Sequence, residues 1–190
     1  MIKYIPLFEF PILVVMVLIR STILRHHGIR AIVFGATNKT DYILIPVILS
    51  FFYGLIASIF NLPFPDILIK SFFDILILDV LSIIICTLSL VWFGVTIKIF
   101  GKSFRVGIDE NSTEKLIVNG TFAISRNPIY VGIIAFFAGV LLMYSNILII
   151  VFLLFLIIII HRQIRREEIF LKIHYGSEYE EYCKKVRRYI

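Results

Sequence analysis

The residues best equipped for chemistry lie in Asn119-Gly-Thr-Phe-Ala-Ile-Ser-Arg-Asn-Pro-Ile-Tyr-Val-Gly132, a polar elbow set directly against a long apolar run. Gly120 and Pro128 interrupt regular structure there, while Arg126, Asn127 and Tyr130 supply hydrogen-bond donors and acceptors. Two more polar clusters accompany the elbow, Gly101-Lys-Ser-Phe-Arg-Val-Gly107 and Arg165-Arg166-Glu167-Glu168. An arginine can grip a carboxylate through paired donors, and a carboxylate can hold an amine or steer its proton. No metal-ligand spacing is present: His26 and His27 are adjacent, and His161 and His174 are far apart, so no metal is expected.

These clusters must be positioned by membrane-type elements. The chain has 190 residues and is 59% hydrophobic, against about 45–50% for a soluble domain. Its apolar runs are continuous rather than alternating, which points to spanning helices and away from an outer-membrane barrel. A span takes about 20 apolar residues. The runs predict helices from about Ile5 to Leu24, from Tyr42 to Phe60 before Asn61-Leu-Pro-Phe-Pro65, and from about Ile75 to Phe100 before Gly101. The stretch from Ile129 to Ile160 is too long for one span, and Tyr144-Ser-Asn146 divides it into a tight hairpin of two short helices. The expectation is therefore an all-α, polytopic membrane protein with about five transmembrane helices in a single domain over 1–190. Two amino-terminal spans would fill 1–66, and the site and tail would fill 67–190.

From His161 to His174 neither Gly nor Pro intervenes, so the last helix should project from the membrane as a polar extension. Gly176 ends it, and Ser177 can cap a short helix from Glu178 to Val186, which Tyr179 and Tyr182 would dock. With the amino terminus outside, seventeen of the 19 Lys and Arg residues fall on the inner side, leaving only Lys3 and Lys70 outside. That bias predicts a cytoplasmic carboxyl terminus and elbow, in what reads as a prokaryotic plasma membrane. Charges placed between spans argue against nucleic acid as partner. Cys86 lies in an apolar run and Cys183 in the basic tail, so no disulfide is expected. The first run lacks a small-x-small cleavage site and reads as a retained span. Spacing also predicts local ion pairs, Glu168 with Lys172 and Asp74 with Lys70, each at i+4. Glu9 is expected at the membrane edge, and Asp79, inside the third run, is a functional candidate.

The order Leu116-Ile-Val-Asn-Gly120, Arg126-Asn-Pro-Ile-Tyr130, Glu167-Glu168 and Tyr175-Gly-x-Glu-Tyr-x-x-Tyr182 resembles the isoprenylcysteine carboxyl methyltransferases and the phospholipid methyltransferases. The resemblance covers roughly Trp92 to Arg188. It implies an integral membrane enzyme that uses S-adenosylmethionine as cofactor. By the same resemblance, the cofactor is surrounded by the loop from Glu114 through Leu116 and Ile117 to Gly120, by Asn127, Pro128 and Tyr130, and by Glu167 and Glu168. One glutamate would hold the cofactor while the other braces Arg126 or the tail. The family commonly has histidine at the positions of Asn127 and Glu114, and often arginine at that of Gln163, with Arg162 beside it here.

Arg126 and Arg162 are the candidate catalytic residues, orienting a carboxylate acceptor, whereas Glu168 would serve an amine acceptor. The substrate is expected to be lipidic, entering from the bilayer. A prenylated cysteine carboxylate, in a small molecule or peptide, comes first; a phospholipid amine is the runner-up, and a small thiol the third. A nicotinamide-dependent membrane reductase and a non-enzymatic scaffold are the alternatives from other classes.

Overall fold

The structure, a computed structural model, describes residues 2–26, 44–60, 62–101 and 116–190. Among the described residues seven α-helices follow one another: α1 (Ile5–His26), α2 (Leu44–Phe60), α3 (Asp66–Ile69), α4 (Leu76–Phe100), α5 (Pro128–Met143), α6 (Ile147–Tyr175) and α7 (Ser177–Lys185). The protein is all-helical among the described residues, as the apolar runs predict. α1, α4 and α6 are long and apolar enough to cross a membrane, whereas α5 is a shorter apolar helix. With 16 residues, α5 measures about 24 Å.

Each break has a local cause. α4 stops at Gly101, whose φ of +54° is a backbone conformation that side-chain-bearing residues avoid. Pro128 opens α5 in its first turn, where a missing N–H costs nothing. α6 runs unbroken through His161 for 29 residues, about 44 Å, so its polar half is one rigid continuation of its apolar half. α3 was not foreseen; it follows Pro65 after the two prolines that end the preceding apolar run.

Aromatic rings knit the core. Phe51 of α2 stacks on Phe152 of α6 at 3.8 Å and meets Phe137 of α5 edge-on at 5.6 Å. Phe10 of α1 approaches Phe52 at 4.3 Å. α4 and α5 make the closest helix pair, because Gly132 and Gly139 let the backbones approach. A Cβ at Gly139 would lie 2.7 Å from Cys86 Sγ and 3.2 Å from the Ser82 carbonyl.

At the end of the bundle away from the elbow, the turn 144–146 gathers the chain. Asn146 caps α6 by accepting from the Ile149 N–H at 3.0 Å, and its amide donates to the Ile69 carbonyl. Ser145 accepts from the Phe72 and Phe73 N–H groups, through its carbonyl and its Oγ respectively. The Tyr144 hydroxyl donates to the Lys3 carbonyl. Asn146→Ala removes both bonds of a side chain that is 1% exposed, and is expected to lower stability by about 2 kcal/mol. Thermal unfolding in detergent checks this; an unchanged midpoint would show the cap to be dispensable.

Two expected placements are corrected here. Asp74 pairs with Lys3 at 2.7 Å, not with Lys70, because residues 70–75 are not helical and i+4 spacing has no meaning there. Glu9 is buried at 8% exposure rather than lying at a wet edge, and accepts from the Thr87 hydroxyl of α4 at 2.6 Å.

Candidate functional site

The elbow is built by a sharp descent into α5. Gly120, with φ of +59°, opens a short 3-10 turn over Gly120–Ala123, and a methyl group there would overlap the Ile99 side chain. Buried Thr121 is hydrogen-bonded to the Thr96 hydroxyl of α4 at 3.1 Å. The Trp92 indole N–H donates to the Pro128 carbonyl at 2.7 Å and pins the start of α5 to α4. Trp92 is thus a strut of the elbow.

The tail then lies across the elbow. The Arg126 N–H donates to the Arg187 carbonyl at 2.9 Å. The Asn127 amide and the Ser125 hydroxyl both donate to the Arg188 carbonyl, at 3.1 and 3.3 Å. The Tyr182 hydroxyl donates to the Phe122 carbonyl at 2.6 Å, and Tyr179 and Tyr182 are both buried, so α7 docks through the two rings expected to dock it.

Glu168 stands at the centre. Arg188 forks onto it, with Nε 3.0 Å from Oε1 and Nη2 2.8 Å from Oε2. Arg126 Nη2 lies 3.3 Å from Oε1, and Arg126 Nη1 donates to Cys183 Sγ. Elbow, α6 and tail therefore meet on one carboxylate whose side chain is only 12% exposed. Glu168 does not pair with Lys172 as spacing predicted. Gly176 turns the chain back, and Lys172 meets Glu180 of α7 instead, at 2.9 Å.

Glu167 faces the other way. Its Oε1 accepts from the Tyr130 hydroxyl at 2.6 Å and from the Gln163 amide at 2.9 Å. Burial raises its carboxyl above the usual range, and these two bonds oppose that shift. Gln163 is therefore a working member of this network.

Among the sequence candidates, the structure brings together Arg126, Asn127, Pro128, Tyr130, Glu167 and Glu168. Gly120 shapes the approach, and Leu116 and Ile117 are half-buried just before it. Glu114 lies outside the described residues. Arg162 is exposed and sits five residues before Glu167, about 140° around the helix, so it is turned away from this group. Arg188, Cys183 and Ser125 were missed, and no spacing rule links positions some sixty residues apart.

Burial pushes the Tyr182 hydroxyl up to about 12, from an ordinary value of 10.0. The folded tail holds this proton more tightly than the undocked tail does. The docking contribution is thus complete below pH 10 and is lost as pH rises through about 12. Limited proteolysis of the tail across that window checks the sign; cleavage that slows as pH rises would contradict it.

Comparison with known proteins agrees with this architecture. The sequence model of the family described as phospholipid methyltransferase matches residues 75–178. Two curated relatives, each named probable protein-S-isoprenylcysteine O-methyltransferase, come from Oryza sativa subsp. indica and Oryza sativa subsp. japonica. Each is 36% identical over 89 residues, covering 45% of this chain and 47% of the relative. The chain spans about half the length of the curated relatives it matches. The matched segment holds α4, α5, α6, the elbow and both glutamates, and by that match the chain belongs to the phospholipid methyltransferase family.

Proposed function

We propose that this chain is an integral membrane methyltransferase that uses S-adenosylmethionine and modifies an amphipathic substrate reaching it from the bilayer. The observation that carries the reading is the convergence of Arg126, Asn127 and Tyr130 with Glu167 and Glu168 at the polar end of a membrane helix bundle. The positive-residue bias supports a cytosolic position for that end.

The donor set fits the cofactor. Arg126 Nε is buried and has no hydrogen-bond partner among the described residues, which suits a ligand carboxylate. Glu167, on the Tyr130 side, suits a ligand ammonium or ribose hydroxyl. When bound, S-adenosylmethionine supplies an activated methyl group on a sulfonium sulfur. The protein then has to hold the acceptor in line with that methyl group and keep water out. Tyr130 and Gln163 fix the Glu167 carboxylate, and Glu168 positions Arg126 by clamping it to the tail. Arg162, being turned away, has no part in this reading. Glu114, Leu116, Ile117 and Gly120 are assigned to the cofactor's rim by resemblance.

A prenylated cysteine carboxylate is the first choice of acceptor, supported by the relatives' printed name, with Arg126 as its anchor. A phospholipid amine is the second, favoured by the family description and by Gln163 standing where an arginine is frequent.

Calorimetric titration of the purified protein with S-adenosylmethionine, its demethylated product and NADPH tests the reading. Binding of the first two is expected. Binding of NADPH alone would point to a reductase, and binding of none to a scaffold. Tyr130→Phe removes one bond to Glu167 and is expected to weaken cofactor binding about tenfold; unchanged affinity would take Glu167 out of the site. Radiolabelled methyl transfer to prenylcysteine analogues and to phosphatidylethanolamine separates the two acceptors.

A further inference from the structure

α6 keeps one face outward along its whole length. Val151, Leu154 and Ile158 are exposed on its apolar half, and Ile169 and Ile173 are exposed on its polar half, the last at 81%. At about 100° per residue, these five lie within about 60° of Ile158, and so do Arg162, Arg165 and Lys172. All three basic residues are exposed. The buried side of the same helix carries Ile160 and Ile164, with Gln163 and Glu167 turned toward the site. The lipid-facing stripe is thus interrupted by two arginines one turn apart and then resumes as isoleucine.

Depth explains that order. A hydrocarbon layer of about 30 Å takes up about 20 residues, which from Ile147 reaches residue 166. Arg162 and Arg165 then sit where long basic side chains extend toward phosphates. Ile169 falls in the next turn, at the depth of the headgroup layer, and Ile173 lies one turn further out. Lys172 lies between them, sharing its charge with Glu180.

The geometry points to an anionic phospholipid surface as the partner of this face: Ile169 lies among the headgroups, and Arg162 and Arg165 bind their phosphates. Two observations select this occupant over a second copy of the chain. The face is continuous with the apolar stripe of the spanning half, and the two charges at its phosphate depth, Arg162 and Arg165, are both positive. Because Glu167 and Gln163 lie on the opposite side of the same rigid helix, this contact fixes the height of the polar elbow above the bilayer.

The test places p-benzoyl-phenylalanine at Ile169 in the full chain, reconstituted in nanodiscs of phosphatidylglycerol or of phosphatidylcholine. An adduct to phosphatidylglycerol is expected on illumination, with a several-fold lower yield in phosphatidylcholine. Arg165→Glu should lower the phosphatidylglycerol yield about fivefold or more, since each basic side chain near an anionic surface adds roughly that factor to binding. Position 169 is exposed, so the substitution leaves the core untouched. Chain-to-chain adducts, no adduct, or equal yields in the two lipids would each overturn the proposal.

Discussion

Glu168→Gln is expected to unfasten the tail from the elbow and, under the proposed function, to abolish methyl transfer. The substitution keeps the side chain's size but leaves two guanidinium groups facing a neutral amide, one of them on a side chain only 14% exposed. Losing one partner of such a buried pair costs about 3 kcal/mol, and the greater exposure of Arg188, at 29%, places the cost at the low end of the usual range. The tail should become protease-sensitive while α1, α4 and α6 remain helical. A double-mutant cycle with Arg188→Met isolates the clasp, with a coupling of about 1.5 kcal/mol or more expected. Zero coupling would mean that the pair contributes nothing in the folded protein. Full activity in Glu168→Gln would remove Glu168 from any positioning role.

Gly139→Leu is expected to prevent assembly of the bundle. Even the first carbon of a side chain would press to within 3.2 Å of the Ser82 backbone, which cannot swing aside as a flexible side chain can. Overpacking of this kind costs about 3 kcal/mol or more. Because α4 and α5 together carry the elbow, loss of their contact removes the site as well as stability. Gly139→Ala combined with Cys86→Ala clears the nearest clash, at Sγ, and should recover part of the loss. Size-exclusion profiles and thermal midpoints in detergent check both; a well-folded Gly139→Leu protein would show that the helices separate without penalty.

The helices were legible because hydropathy and chain breakers are local signals. Gly101, Gly176 and Tyr144-Ser-Asn146 end or join elements at the places their chemistry predicts. The elbow was legible for the same reason, as a dense polar run beside an apolar one. Its closure was not. Arg188 reaches Glu168 across 20 residues, and its carbonyl accepts from Asn127 across 61. Contacts of that kind leave no periodicity to read. The i+4 rule failed twice for identifiable reasons: Lys70 and Asp74 are not on one helix, and Gly176 offers Lys172 a nearer partner in Glu180. Arg162 is the opposite case, since its helical phase relative to Glu167 was available from spacing alone and already placed it on the other face.

The strap formed by Arg187 and Arg188 has a consequence for how the molecule is made. The apolar helices α1, α2, α4, α5 and α6 precede it, so they leave the ribosome before it does, while the elbow is still open. Only when residues 182–188 emerge can Phe122, Ser125, Arg126 and Asn127 find their hydrogen-bond partners. Emergence of the helices and completion of the site are thus separate events in biosynthesis. A chain cut short before Arg187 would keep its apolar helices, yet would carry an unfinished elbow.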